Sequence, residues 1–128
     1  MITNNCHLFD ETTVIRKETT EEVLQAARDL VHAGHMLLNH PKYGNLTQKN
    51  WFYRTLLVSE EKKGLDVLSL ELIEDAVLEY QQGKAMKSNV SDQQLHDFRI
   101  VDADIIIQAV ELLPVEKSIF HCRKREGR

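Results

Sequence analysis

The chain contains few of the residues that mark secreted or membrane proteins. Its 128 residues include two cysteines, two prolines and five glycines. Cys6 and Cys122 lie near opposite ends without CxxC spacing, so we expect free thiols and not the disulfide framework of a small secreted domain. No run of about 18 apolar residues is present, and the polar start of the chain predicts no signal peptide. These absences predict a cytoplasmic protein without a membrane span.

Charge and hydrophobicity predict an ordinary globular protein. The sequence is 42% hydrophobic and 28% charged, and its 16 Lys and Arg against 20 Asp and Glu give a net charge of −4. This composition supports a packed core and gives no overall attraction to nucleic acids or anionic membranes. No Pro- or Ser-rich linker divides the chain, so we predict one domain over residues 1–120 and a basic tail over residues 121–128.

The first third of the chain predicts two short strands and a helix. Residues 1–3 and residues 12–17 are each typical of a strand. Thr19 and Glu22 form a capping box that predicts a helix start, and Gly34 is placed to end that helix in the left-handed conformation. One apolar face at helical spacing is formed by Val23, Leu24, Ala27, Leu30 and Val31.

The remaining residues predict two buried strands followed by two helices. Residues 36–38 and 52–59 are apolar runs, and residues 39–50 between them have the Pro, Gly and Asn content of a loop. One helix follows Gly64 and ends at Gly83, and Ser91 caps another that stops before Pro114. Their predicted apolar faces are Leu65, Leu68, Leu72, Ile73, Ala76, Val77 and Tyr80 in the first, and Phe98, Val101, Ile105, Ala109 and Leu112 in the second. Residues 105–107 are all β-branched, which leaves a strand as the alternative there.

Strands that come first, with helices between and after them, indicate an α/β fold. We predict a single-domain sandwich with about four short strands, a crossover helix and two long C-terminal helices. A right-handed crossover is expected from strand 12–17 through the first helix to strand 36–38. If the first strand runs parallel to these two, Asn4 and Asn39 both follow carboxyl ends of strands, where open α/β sheets bind their ligands.

The polar residues at these strand ends form the predicted ligand site. Amides donate and accept hydrogen bonds, an imidazole is both a donor and an acceptor, and a lysine near a glycine offers a cation beside accessible backbone. We therefore predict a crevice for a small polar or anionic ligand, formed by Asn4, Asn5, Asn39, His40, Lys42 and Gly44. The alternative is that the asparagines only form turns and that His40-Pro41 is an extended segment leading into the loop.

Three histidines close together in the sequence raise the alternative of a zinc site. They are His32, His35 and His40. Gly34 separates the first two, and an apolar strand about 10 to 15 Å long separates the third. We therefore predict no metal site. His32 is expected to interact with the end of the helix and His35 to form a hydrogen bond in the turn.

No catalytic constellation is evident, and whether the chain is an enzyme is left open. It has no GxxxxGK[ST] motif and no GxGxxG motif, so no cofactor is expected. Cys6 and His7 are poorly placed as a nucleophile pair because adjacent strand residues point to opposite faces. A hydrolase or transferase with His40 as its base is the remaining catalytic alternative.

A second class of function would use the C-terminal tail. Basic groups are concentrated there in His121, Arg123, Lys124, Arg125 and Arg128. Such a cluster is typical of a nucleic-acid-interacting or regulatory module, although a solvated tail is the simpler interpretation.

The apolar faces of the last two helices also allow a homodimer, although a monomer can cover one face of the sheet with them.

The residues discussed above carry a resemblance to a known family. Over most of its length the chain is similar to the GrdX family, through the opening ITNN, Arg28, Asp29, Leu30, His32, Gly34, His35, Leu38, His40, Pro41, Gly44 and Tyr53, with weaker support from Asp97, Phe98 and Asp102. The family is named for a protein encoded beside glycine reductase genes, and no biochemical activity defines it. The resemblance implies an accessory cytoplasmic protein associated with glycine reductase metabolism, and it supplies no catalytic residues.

Overall fold

Five short strands and three helices form an α/β fold in the computed structural model, which describes residues 1–5, 14–43, 52–83 and 91–112. The predicted α/β class is confirmed. The elements in chain order are β1 Ile2–Thr3, β2 Ile15–Arg16, α1 Thr20–His32, β3 His35–Leu37, β4 Thr55–Leu56, β5 Val58–Lys62, α2 Val67–Gly83 and α3 Asp92–Leu112. About four strands were expected, and the fifth arises because Leu57 divides the predicted strand 52–59 into β4 and β5. None of the described helices is long and apolar enough to cross a membrane.

The first three strands run in the same direction, which is the condition that the predicted ligand site requires. β1 pairs in parallel with β2 and antiparallel with β4, while β3 pairs antiparallel with β5. The Leu38 amide donates to the Leu57 carbonyl at 2.7 Å, so the antiparallel pairing of β3 continues past β5 toward β4. β3 therefore runs in the same direction as β1 and β2. Asn4 and Asn39 consequently follow the carboxyl ends of parallel-running strands, as predicted.

Helix starts and ends agree with the local signals in the sequence. The Thr19 hydroxyl accepts the Glu22 amide at 3.1 Å, and the Ser91 hydroxyl accepts the Gln94 amide at 3.1 Å. Gly34 follows α1 with φ of 110°, a conformation that favours glycine. The start of α2 has a cap that was not predicted, because Asp66 accepts the Ser69 amide at 2.9 Å. Residues 105–107 lie within α3, so the predicted helix is confirmed and the strand alternative is wrong.

Alternate residues along the strands divide the core between the two faces of the sheet. On one face, α1 and α2 cover a cluster of buried residues: Ile2, Val23, Leu24, Ala27, Val31, Leu56, Val58, Ile73, Ala76 and Val77. On the other face, the α3 residues Ala103, Ile106 and Val110 form a second buried cluster with Met1 and Leu57. Neighbouring residues such as Leu56 and Leu57 belong to different clusters because successive strand side chains point to opposite faces. The result is a sheet with helices on both sides.

Exposed ion pairs add to the packing of α1 against α2. The Arg28 Nε donates to Glu74 Oε1 at 2.6 Å, and His32 Nε2 lies 3.0 Å from the same oxygen. The hydrogen bond from Arg28 is the main reason that the pKa of Glu74 lies below its usual value. Arg28 is therefore engaged with a carboxylate of the neighbouring helix, and both partners are about 40% exposed.

Three predictions about burial are wrong. Leu65 and Leu68 are 56% and 64% exposed, because they precede α2 or lie in its first turn, before the helix reaches the core. Met36 is 45% exposed, although its strand was predicted to be buried. In α3, Val101 is 55% and Leu112 85% exposed. The buried face of α3 is Asp102, Ala103, Ile106 and Val110, which a hydropathy pattern misses because it contains a carboxylate.

Candidate functional site

Asn4 joins the end of β1 to the segment that leads into β4. Its amide group donates to the Phe52 carbonyl at 2.8 Å and to the Thr20 hydroxyl at 3.3 Å. Its carbonyl oxygen accepts the Arg54 amide at 2.8 Å. Asn4 is 9% exposed, so this side chain holds two strands together inside the protein.

Asn39 acts on the same segment from its other side. It donates to the Thr55 carbonyl at 3.1 Å and accepts the Leu57 amide at 2.9 Å. Beyond the end of β3, the Asn39 side chain thereby makes the two hydrogen bonds to residues 55–57 that a backbone residue of a paired strand would make. The structure thus brings Asn4 and Asn39 to opposite edges of residues 52–57.

The other predicted crevice residues have separate contacts. His40 Nδ1 accepts the Lys42 amide at 3.0 Å. The Lys42 ammonium lies 2.7 Å from Asp75 and 2.8 Å from Glu79, and these hydrogen bonds raise its pKa. Lys42 is therefore engaged with α2 and not with the two asparagines. Gly44, the basic tail 121–128 and both cysteines lie outside the described residues.

The three histidines have different partners. His32 contacts Glu74, while His35 Nδ1 lies 2.6 Å from the Ser59 carbonyl oxygen. Within the described part of the chain, no group of three His, Cys, Asp or Glu side chains is arranged to hold a metal ion.

A buried polar network lies where Asn5 follows β1 and α3 crosses the sheet. We name it the strand-end cluster, and it consists of Thr3, Asn5, Tyr43, Arg54, Thr55 and Asp102. The carboxylate of Asp102 is its centre. Asp102 accepts hydrogen bonds from the Tyr43 hydroxyl, from the Thr55 hydroxyl at 3.0 Å and from the Asn5 amide at 3.3 Å. These bonds connect α3 to β4, to the end of β1 and to the segment after β3.

Arg54 supplies a positive charge beside this carboxylate. The residue is 3% exposed, and its guanidinium carbon lies 4.1 Å from the centre of the Tyr43 ring. Nη1 donates to the Tyr43 carbonyl at 2.9 Å. A cation over an aromatic face and a hydrogen bond to its backbone together fix the position of Tyr43.

Burial sets the protonation of the cluster. It raises the pKa of Asp102 above its usual value, although the hydrogen bonds from Tyr43, Asn5 and Thr55 act in the opposite direction. It also raises the pKa of Tyr43, and the negative charge of Asp102 adds to this effect. Burial lowers the pKa of Arg54. Tyr43 therefore stays protonated and donates a hydrogen bond to Asp102, while its oxygen accepts the Thr55 amide at 2.8 Å.

The side chain of Asn5 has unused hydrogen-bonding capacity in the cluster. Its amide nitrogen donates to the Arg99 carbonyl at 2.9 Å and to Asp102. Its carbonyl oxygen is fully buried and accepts no hydrogen bond from the described residues. A buried acceptor without a donor is costly, by about 1 to 3 kcal/mol. Such an atom is a point at which a ligand with a donor group gains affinity.

Sequence reasoning found Asn5 but not the other members of the strand-end cluster. Asp102 gave a signal, because an acidic residue between Val101 and Ala103 on an apolar helix is unusual unless it is paired. Arg54, within an apolar run, gave a similar signal. Neither residue reveals its partner in the sequence, since Tyr43 and Asp102 are 59 positions apart.

Comparison with known proteins places the chain in a family. Neither a curated protein nor a solved structure matches it significantly. The model of the GrdX-like protein family matches residues 1–111, a range that includes every residue of the strand-end cluster and also His32, His35 and His40. The resemblance predicted from the sequence is thereby confirmed, and the chain belongs to the GrdX-like protein family.

Proposed function

We propose that this chain is a cytoplasmic accessory protein that binds a small polar or anionic ligand at the strand-end cluster. The proposed ligand enters beside Tyr43, because the other members are buried and Tyr43 is only partly so. Membership of the GrdX-like family supports an association with glycine reductase metabolism. The proposed site lies deeper than the crevice predicted from the sequence, and the two sites have Asn5 in common.

The observation that carries the proposal is the buried charge of Arg54 beside Asp102 at the carboxyl ends of strands. Removing two charges from water costs several kcal/mol per ion, and apolar residues of similar size often replace such pairs without loss of stability. Stability alone therefore does not require buried charges at this position, and this supports a role in ligand recognition. Carboxyl ends of parallel strands are also where open α/β sheets bind ligands.

The chemistry of the cluster favours a ligand that combines an acid with a donor. A guanidinium attracts carboxylates and phosphates, and its planar group matches their geometry. The unsatisfied carbonyl oxygen of Asn5 can accept a hydrogen bond from an N–H or O–H group of a ligand. A small amino acid carries both a carboxylate and an ammonium group, and glycine is the smallest of them.

Calorimetric titration with glycine, acetate and inorganic phosphate tests the proposal. We expect at least one of these probes to bind, with glycine binding more tightly than acetate if the ammonium contacts Asn5. Replacement of Arg54 by Lys keeps the charge and removes the planar group, so binding should weaken by about tenfold or more. A circular dichroism spectrum confirms that the variant is folded.

Two control variants locate the binding site. Arg28→Gln removes an exposed guanidinium that pairs with Glu74, and it should leave binding unchanged. Lys42→Gln tests the crevice predicted from the sequence, and it should also leave binding unchanged because Lys42 is engaged with Asp75 and Glu79. Absence of binding by all three probes, or an equal loss in Lys42→Gln and Arg54→Lys, would contradict the proposal.

A further inference from the structure

A groove opens on the surface between the end of α1, the antiparallel strands β3 and β5, and the segment before α2. Its volume is about 640 Å³, within the range of small-molecule sites. It shares no residue with the strand-end cluster. Its lining combines apolar residues with polar and acidic ones, among them Ile15, His35, Met36, Glu60, Leu65 and Asp66.

Large apolar side chains in this groove are open to solvent. Ile15, Met36 and Leu65 are 41%, 45% and 56% exposed, and all three line the groove. Single exposed apolar residues are common, but several in one concave surface mark a binding site. The groove therefore provides an apolar surface for a ligand of matching character.

His35 provides a hydrogen-bonding group with a defined role. Its Nδ1 lies 2.6 Å from the Ser59 carbonyl oxygen, and a carbonyl only accepts, so Nδ1 carries the hydrogen. In the neutral ring the second nitrogen, Nε2, is then an acceptor. The neighbouring Ser59 hydroxyl accepts the Met36 amide at 2.7 Å and donates to the Glu61 carbonyl at 2.9 Å, so it is already engaged. The groove thus offers an acceptor to a ligand with an N–H group.

Acidic side chains outnumber basic ones around the groove. Its lining includes the carboxylates of Glu60, Glu61 and Asp66 against the ammonium of Lys63 and the N-terminal amino group of Met1, whose pKa is lowered by burial. Lys63 lies 3.5 Å from Glu61, which offsets one of the three negative charges. Asp66 accepts hydrogen bonds from the Ser69 hydroxyl and amide, which lower its pKa and keep it ionised. The groove is therefore complementary to a cation.

We propose that this groove binds a small amphipathic amine. The apolar part of the amine packs against Met36, Leu65 and Ile15, and the ammonium group lies toward Glu60 and Asp66. One N–H group of the ammonium is available to His35 Nε2. The proposal does not depend on the strand-end cluster, because it uses different residues and the opposite ligand charge.

Titration with three probes tests the proposal. Hexylamine has both the apolar chain and the ammonium, hexanoate has the chain with the opposite charge, and methylamine has the charge without the chain. We expect hexylamine to bind with a Kd on the order of 1 mM, and each of the other two to bind at least about tenfold more weakly. The methyl resonance of Met36, in protein labelled with ¹³C-methyl methionine, should shift on addition of hexylamine.

Matched variants at exposed positions locate the site without disturbing the fold. Met36→Gln removes apolar surface from the groove and Glu60→Gln removes charge, and each should weaken hexylamine binding by about threefold or more. Their controls are Leu78→Gln and Glu71→Gln, which make the same changes at exposed positions of α2 outside the groove. These controls should bind as the wild type does.

Four results would overturn the proposal. They are hexanoate binding as tightly as hexylamine, methylamine binding as tightly as hexylamine, hexylamine binding that is unchanged in Met36→Gln, and no hexylamine binding up to about 10 mM. Glycine or phosphate binding that depends on Arg54 is a separate result and bears only on the strand-end cluster.

Discussion

The two faces of the sheet hold their helices in different ways. On the face covered by α1 and α2, the buried cluster consists of apolar side chains, and the charged groups, such as Arg28 and Glu74, stay at the surface. On the face covered by α3, a smaller apolar cluster is accompanied by buried Asp102, which accepts hydrogen bonds from three residues in other parts of the chain. Apolar packing is non-directional and tolerates small shifts, whereas hydrogen bonds and buried charge do not. We therefore expect the attachment of α3 to be the more sensitive to single polar changes and to pH.

The largest effect is expected from Asp102→Ala. This change leaves the donors of Tyr43, Thr55 and Asn5 without their acceptor and leaves Arg54 without the nearby negative charge. Urea unfolding followed by circular dichroism should show a loss of about 3 to 5 kcal/mol in the free energy of unfolding.

The control for Asp102→Ala is Gln108→Ala, an exposed position on the same helix. It should change the free energy of unfolding by no more than about 0.5 kcal/mol. If Asp102→Ala and Gln108→Ala have equal effects, the polar network does not hold α3, and the contrast between the two faces is wrong.

A smaller effect is expected from glycine substitutions on the α1 and α2 face. Gly34 has φ of 110°, and a Cβ there would lie 3.3 Å from the Gly64 amide nitrogen. Gly64 has φ of 89°, but a Cβ there would meet no atom within 4 Å. Gly64→Ala therefore adds backbone strain alone, about 1 kcal/mol, while Gly34→Ala adds strain and a close contact, up to about 3 kcal/mol in all.

Thermal and urea unfolding of the two glycine variants in parallel measure this difference. A larger loss in Gly34→Ala would show that the contact between the two turns limits the position of β3 against β5. Equal losses would show that only the backbone conformation matters, and that this face depends on its side chains and not on close backbone contact.

The contribution of a buried aspartate on the α3 face to the free energy of unfolding should depend on pH with the opposite sign to that of an aspartate at the start of α2. Because burial raises the folded-state pKa of Asp102, the folded protein binds its proton more tightly than the unfolded chain does. The stability from this group is then fully present below the usual value of 3.8 and is lost as the pH rises through the folded-state pKa. The difference in unfolding free energy between the wild type and Asp102→Asn should therefore become more favourable to the wild type as the pH falls, by about 1.4 kcal/mol for each unit by which the pKa is raised.

Asp66 at the start of α2 should behave in the opposite way. Hydrogen bonds from Ser69 lower its folded-state pKa, so its contribution is present above the usual value of 3.8 and is lost as the pH falls through the lowered value. The same titration with Asp66→Asn should give a difference that shrinks toward acid pH. The same sign for both aspartates would contradict the burial of Asp102 as the cause.

Local features of the fold could be predicted because their causes lie within a few residues. Thr19, Ser91 and Gly34 were identified correctly, since a cap or a turn depends on side chains at fixed short spacing. The buried face of α3 was predicted one position away from its true place. Hydropathy alone assigns Asp102 to the solvent, and only its hydrogen-bond partners make its burial tolerable.

The candidate site, like the fold, could be predicted only in part. Asn4 and Asn39 were predicted to follow parallel-running strands, and the structure brings them to the two edges of one segment. Tyr43, Arg54 and Asp102 were not predicted as neighbours, because their contacts join separate parts of the chain.

The sequence by itself determined the α/β class, the helix boundaries at capping residues and membership of the GrdX-like family, because periodicity, caps and a family pattern are all properties of the linear chain. Only the tertiary structure decided which charges are buried together and which apolar residues are left open in a groove. Those outcomes depend on how α3 packs against the sheet and on how β3 pairs with β5. The free energy of burying Asp102 and Arg54 is set by atoms distant in the sequence and within hydrogen-bond reach in space.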